Sequence, residues 1–223
     1  MDSPIPIALI DDHGLMRSAL ADMIQSMGRY HVVVQAGNGV EYINAVQHGL
    51  PVAVAIVDLH MPQMNGFDTI RWIRAHQPHT RSVALSLDMA EETVARTLHL
   101  GACGFLPKTV EKDLFRDALD QVIREGHYIN LDFLDTEDGP VLRSAHFHER
   151  QRAFALLTAR ETDFVRHVCD ETEPTYDQIA DRMTVSLSTV HGYRESIFRK
   201  LHVKSKAGLV IFAYKVGLVG REG

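Results

Sequence analysis

The chain has 2 cysteines and 1 tryptophan among 223 residues. Cys103 and Cys169 stand in different halves with no metal-ligand spacing and no activating motif beside them. A disulfide scaffold and a zinc module are therefore not expected, and both thiols are read as reduced packing residues. No apolar stretch approaches the roughly 20 residues of a membrane span. The opening MDSPIPIALIDD has no basic flank and only a short apolar run before two acids, so no secretory leader is expected and the protein is placed in the cytoplasm. Nor does one sign of charge dominate, because the formal net charge is only −6.

That total conceals an asymmetry. Residues 1–125 carry 10 Lys/Arg against 15 Asp/Glu, residues 126–150 carry 2 against 5, and residues 151–223 carry 11 against 9. A nucleic-acid-binding part can be basic while an acidic partner domain keeps the chain in solution. The length exceeds the usual single domain, and 45% apolar content suffices for more than one core.

Two textures are present. PIALIDD reads as a short buried strand. HGLMRSALADMIQSMG then reads as a helix with Leu15, Leu20, Ile24 and Met27 close to one face and Gly28 at its end. The alternation recurs as strand 31–36, helix 39–48, strand 52–57, helix 66–76, strand 82–87, helix 90–100, strand 104–106 and helix 110–125. Five strands alternating with five helices predict an α/β fold, a doubly wound five-stranded parallel sheet with right-handed crossovers. Continuous apolar strands such as VAVAIV suit a sheet covered on both faces. After Gly126 the periodicity weakens, and LDFLDTEDGP fits a linker. RSAHFHERQRAF adds at most a helical turn or two, and its His-Phe-His at 146–148 lacks a third metal ligand. From residue 155 strand signals vanish and four short amphipathic segments predict a small all-α domain. Thr158 with Glu161, and Thr175 with Gln178, have the spacing of capping boxes, which places two helix starts. The expected organisation is a first domain over 1–126, a linker over 127–154 and a helical domain over 155–223.

In the first domain, a parallel sheet would gather Asp11, Asp12 and Asp58 at one edge, because strand one ends in the first two and strand three in the last. Strand four brings Ser86 to that edge and strand five runs into Lys108. An acid ending a buried strand is costly unless paired, and open α/β sheets bind ligands at those ends. One or two carboxylates completed by waters and a phosphoryl oxygen suit Mg2+. A lysine and a hydroxyl can hold the other phosphoryl oxygens. The set describes a phosphoryl-transfer site with Asp58 as nucleophile. Each residue alone also has a plain structural reading as cap, turn or solvated loop residue.

In order and spacing, LIDDH, VDLHMPQMNG, ALS and GFLPK resemble the motif set of response-regulator receiver domains over roughly the first 125 residues. The resemblance implies an aspartyl-phosphate at Asp58. It implies Mg2+ held by Asp12, Asp58 and the backbone carbonyl of His60, with Asp11 helping through water. It also implies a switch in which Ser86 moves toward the phosphoryl group and Phe105 changes rotamer with it. Phe105 stands where the family often has Tyr, so its coupling would rest on packing, and an aromatic at a strand end is equally read as core. Pro107 precedes Lys108 instead of following it, which leaves open whether the Lys108–Thr109 peptide is cis. The His60 side chain is read as exposed.

In the second domain, TYDQIADRM, TVS and LSTVHGYRESIFRKL read as helix, tight turn and longer helix. Val190, Ile197 and Leu201 form an inward stripe, while Ser188, Thr189, His191, Gly192, Glu195 and Arg199 lie opposite, groups of the kind that reach bases and phosphates. Residues 182–206 hold six Lys/Arg against Glu195 as the one acid, which supplies counterion-releasing charge. The segment from LTARE to KVGLV, about 155–219, resembles the LuxR-type four-helix DNA-binding domain, and the whole chain the NarL/FixJ class of response regulators. That implies residues 187–200 in the major groove of double-stranded DNA and SKAGLVIFAYKVG paired with its copy in a homodimer on two half-sites. His191, Gly192 and Glu195 match base-facing positions, and Thr189, Lys200 and Lys204 match backbone contacts. Glu195 is also placed to bridge Arg199 at i+4. Gly192 in a helix interior suggests close approach of the backbone to DNA or to the preceding helix.

The expectation is a transcription regulator, not an enzyme, phosphorylated at Asp58 by a sensor histidine kinase or a small phosphodonor. Two rivals are a constitutive DNA-binding protein whose receiver is an interaction module and a phosphorelay shuttle with no DNA role. The complete acid, hydroxyl and lysine set disfavours the first, and the basic helical domain the second.

Overall fold

The computed structural model describes residues 3–130, 152 and 155–219. Contacts divide the chain into two compact units, residues 1–88 with 100–129, and residues 89–99 with 130–223.

The first unit holds β1 (Ile5–Ile10), α1 (Gly14–Gln25), β2 (Tyr30–Ala36), α2 (Gly39–Val46), β3 (Val54–Asp58), α3 (Gly66–His76), β4 (Arg81–Ser86), β5 (Gly104–Pro107) and α5 (Lys112–Glu125). The fourth helix of the alternation, α4 (Glu91–His99), clusters by its contacts with the second unit. The strands form one sheet in the order β2-β1-β3-β4-β5, and every pairing is parallel. The expected doubly wound sheet is present, with strand ends within one or two residues of their expected positions. All five residues of β3 and the last four of β1 are buried, which is why these strands read as unbroken apolar runs.

Helix starts follow from side-chain caps. Asn38 accepts from the Glu41 N–H at 3.0 Å and Asn65 from the Asp68 N–H at 2.9 Å, which starts α2 and α3 directly after their loops. The first helix departs from expectation. Ala21 and Ile24 are its buried residues, whereas Leu15 is 89% exposed. Gly28 closes the segment with φ of +71°.

The second unit contains α6 (Ala159–Val168), α7 (Tyr176–Met183), α8 (Leu187–Leu201) and α9 (Lys206–Lys215), the four expected helices. Both capping boxes form, Thr158 with Glu161 and Thr175 with Gln178. Thr184 turns the chain after α7 with a left-handed backbone, φ +56°. Val190, Ile197 and Leu201 are fully buried, so the inward stripe of α8 is as expected. In α9 five consecutive residues, Leu209 to Ala213, are buried, and this helix is packed on all sides instead of along one stripe.

The expected linker falls mostly outside the described residues, as do His-Phe-His 146–148 and all but Arg152 of the turn or two read at 143–154. Its first residues still belong to the sheet unit, because Tyr128 bridges Gly104 and donates its N–H to the Cys103 carbonyl at 2.8 Å. Cys103 and Cys169 are both buried, and neither is in a disulfide among the described residues.

Gly66 fixes the path from β3 into α3. A Cβ there would lie 2.1 Å from the Asp58 carbonyl oxygen and 2.6 Å from the Leu59 Cα, and neither backbone atom can yield cheaply. Gly66→Ala is expected to lower stability by about 1–3 kcal/mol, the usual range for overpacking. Urea unfolding at an unchanged slope checks this, and an unaltered midpoint would contradict it.

Candidate functional site

Parallel pairing places Ile10 opposite Val57, Asp58 opposite Leu85 and Ser86 opposite Pro107. The residues that follow or end these strands, Asp11, Asp58, Ser86 and Lys108, therefore form a row along one edge of the sheet. Asp11 and Asp58 are each 3% exposed and Ser86 is 1% exposed, while Asp12 is open to solvent.

Two buried carboxylates on neighbouring strands repel unless a cation lies between them. Lys108 does so, with Nζ 2.8 Å from Asp11 Oδ2 and 2.9 Å from Asp58 Oδ2. Burial works against its charge, but the bonds to Asp11 and Asp58 outweigh that and hold the ammonium above the ordinary lysine pKa. The second oxygen of Asp11 accepts the His13 N–H at 2.8 Å, and the His13 ring stands 2.9 Å from Asp12 Oδ1. Arg17 donates to the Asp11 carbonyl. Asp58 Oδ1 receives only a long contact from the His60 N–H, 3.4 Å, and the His60 side chain is exposed. The Ser86 hydroxyl accepts the Asp88 N–H at 3.0 Å, which leaves its own hydrogen free to donate. Phe105 is buried at 4% exposure, in keeping with a core residue. All described peptide bonds are trans, including Lys108–Thr109.

Ligand atoms of Asp11, Asp12, His13 and Asp58 lie within 4.8 Å of one another. Three carboxylates open to water on the Asp12 side are the donor set of a hard divalent cation. The Asp-Asp-His run marks its two acids as candidates but carries no signal for the parts of His13 and Arg17. Their part depends on how the loop after β1 folds back on Asp11.

In the helical unit, Ser186 caps α8 by accepting the Thr189 N–H at 3.1 Å. Ser188, Thr189, Gly192, Glu195, Arg199 and Lys204 are exposed, and His191 is half-buried. Three expectations change in detail. A Cβ on Gly192 would meet nothing within 4 Å, so no neighbouring helix requires glycine there. Glu195 lies 3.7 Å from Arg194, and this is its ion pair in place of the expected one to Arg199. Lys200 is engaged within the protein, its Nζ 2.8 Å from both oxygens of Glu161.

Glu161 is 4% exposed, and it also accepts from Ser196 at 2.7 Å and from the Thr158 N–H at 2.8 Å. Its spacing from Thr158 marks it in the sequence only as a capping residue. Nothing local signals that a lysine 39 positions later will meet it.

A sheet edge with paired carboxylates, a hydroxyl and a buried lysine, joined to a helix-turn-helix unit, defines a receiver-and-DNA-binding class of protein. The comparisons agree. A family model for the response regulator receiver domain matches residues 7–120, and one for bacterial regulatory proteins of the luxR family matches residues 155–213. The chain belongs to the response regulators that carry a LuxR-type DNA-binding domain. It is 29% identical to the nitrate/nitrite response regulator protein NarL of Escherichia coli over 212 residues, 95% of this chain and 96% of that protein. It is 27% identical to a nitrate/nitrite response regulator protein homolog of Haemophilus influenzae over 215 residues, 96% and 99% of the two chains. Among solved structures, the RcsB response regulator of Salmonella typhimurium matches with a TM-score of 0.55 at 19% identity, covering 96% of this chain and all of that one, which supports the fold.

The Glu161 cluster has a pH consequence. Burial alone would raise its carboxyl, but hydrogen bonds from Lys200, Thr158 and Ser196 prevail and hold it at about 2 against an ordinary 4.5. A group whose folded pKa is depressed stabilises the fold above its unfolded pKa and loses that contribution as pH falls toward the folded one. Stability is expected to decline between pH 4.5 and about 2, and Glu161→Gln to reduce the part of that decline this residue supplies. Urea midpoints measured across the window check this. Parallel pH curves for the two proteins would contradict it.

Proposed function

We propose that this chain is a transcription regulator switched by phosphorylation of Asp58, with a sensor histidine kinase or a small phosphodonor as the source. The observation that carries the reading is the buried ammonium of Lys108 held against Asp58 and Asp11 at 2.9 and 2.8 Å. That arrangement sets a buried cation against the carboxylate proposed as nucleophile, where it is ready to receive a phosphoryl oxygen.

In the transfer, an Asp58 oxygen attacks phosphorus. A P–O bond forms to Asp58, the bond from phosphorus to the donor's imidazole nitrogen or acetate oxygen breaks, and the leaving group takes the electron pair. Lys108 exchanges its contact with Asp58 for one with the phosphoryl group while keeping Asp11. Ser86 turns its free hydrogen toward another phosphoryl oxygen, and Phe105 is the aromatic that follows it by packing. Asp12, Asp58 and the His60 carbonyl, with Asp11 through water, would hold Mg2+. Bound there, Mg2+ neutralises the charge that accumulates on the transferring group. The carboxylate cluster fits such an ion.

The output is DNA binding by α8, with Ser188, Thr189, His191, Gly192, Glu195 and Arg199 toward the major groove and Lys204 toward the backbone. Lys200 serves the backbone only as far as its pairing with Glu161 allows, and so contributes chiefly by placing α8 on α6. A homodimer on two half-sites completes the assembly. Phosphorylation could bring it about through the receiver or through α9, whose apolar residues would first have to be uncovered. No described helix is long and apolar enough to cross a membrane, and a cytoplasmic location is proposed with the function.

The test is the intact mass of wild type and Asp58→Asn after incubation with acetyl phosphate and Mg2+. One labile phosphoryl adduct on the wild type alone is expected. No adduct with either acetyl phosphate or a panel of histidine kinases, and DNA binding intact, would replace this reading with a constitutive regulator whose receiver is an interaction module.

A further inference from the structure

Tyr176 opens α7, and its backbone is fixed within the capping box that joins Thr175 before it to Gln178 after it. Its half-buried ring is surrounded by groups from three other helices. The fully buried Phe164 of α6 lies nearly parallel to it, centroids 6.2 Å apart at 17°. His191 of α8 meets it edge-on at 5.7 Å and 64°. The Arg194 guanidinium carbon is 5.7 Å from the ring centroid, and the Lys206 ammonium is 5.9 Å from it. Lys206 is itself anchored, donating to the Pro174 carbonyl at 2.7 Å.

One phenol thus contacts an imidazole and two cations, and two of those three belong to the helix assigned to the groove. Edge-to-face aromatic contacts and cations near a ring both depend on geometry, since the ring quadrupole attracts the positive edge and the charge. A histidine free on a helix surface samples several rotamers. One packed against a ring that is backed by Phe164 does not. Gly192 and the absence of any atom near its Cβ position leave the DNA side of this cluster open.

We infer that Tyr176 is a positioning residue for DNA recognition: its ring orients His191 on α8, and it thereby sets sequence preference without touching a base. The inference rests on the proposal that α8 enters the major groove. Its physical basis is preorganisation, in which side chains already ordered in the free protein need not be ordered on binding.

The experiment selects sites from a randomised duplex library with the full chain, in acetyl phosphate and Mg2+, and measures affinities for the selected and a scrambled duplex. Wild type, Tyr176→Phe, Tyr176→Leu, Tyr176→Ala, His191→Ala and Tyr176→Ala/His191→Ala are compared, with thermal melts as a control on folding. Tyr176→Phe should keep the selected motif. Tyr176→Ala and Tyr176→Leu should lose preference at the base pairs that His191→Ala also relaxes, with about a tenfold loss on the selected duplex and little change on the scrambled one. The double variant should resemble His191→Ala alone, because the tyrosine acts through the histidine. Equal losses on both duplexes, additive effects, or an unchanged motif in Tyr176→Ala would overturn the inference. A wild type that selects no motif and shows no affinity for duplex DNA would instead remove the groove assignment of α8 on which it rests.

Discussion

The first unit depends on one interaction, the Lys108 ammonium between two buried carboxylates. Asp11 and Asp58 end adjacent strands, and the parallel order of the sheet leaves them no choice but to be neighbours. The cation between them offsets the repulsion of two carboxylates buried side by side. Lys108 comes from beyond β5, two strands further across the sheet, so its side chain spans the edge and ties the site to the last strand of the fold. The proposed chemistry follows from the same constraint. A cation held by two acids can give up one of them to an incoming phosphoryl oxygen and still be satisfied by the other.

The helical unit contains a similar pair used in the opposite way. Glu161 meets Lys200, but its two oxygens also accept from Thr158 and Ser196, so every acceptor position has a partner. Such a carboxylate is structural, and removing a partner strands a buried charge. Asp58 has Lys108 and a single long contact from His60. The difference between a carboxylate that holds helices together and one fit to react lies in how many of its acceptor sites are already filled.

Much of this was legible in the sequence, for reasons that can be named. Strands such as VAIVD are apolar throughout because both sheet faces are covered, so each acid that ends one stands out and marks the edge. Thr158 and Thr175 signal helix starts because a capping box is completed within four residues. Legibility fails where a property depends on distant parts of the chain or on the direction of one face. Leu15 fits an apolar helical stripe but lies on the exposed side of α1, whose buried residues are Ala21 and Ile24. Glu195 has arginines on both sides, and spacing alone favoured the wrong one. Glu161 with Lys200, and Tyr176 with His191, are brought together only by the crossing of helices. Of the two readings of the glycine at 192, close approach to the preceding helix is excluded by the open space around it.

A phosphoryl group on Asp58 is proposed to alter DNA binding by a helix elsewhere in the chain. This is tested most directly by titrating a selected duplex with the wild type before and after acetyl phosphate and Mg2+ treatment, beside Lys108→Ala treated identically. A clear gain or loss of affinity is predicted in the wild type on treatment and none in Lys108→Ala. An affinity that is the same for phosphorylated and unphosphorylated wild type would contradict it.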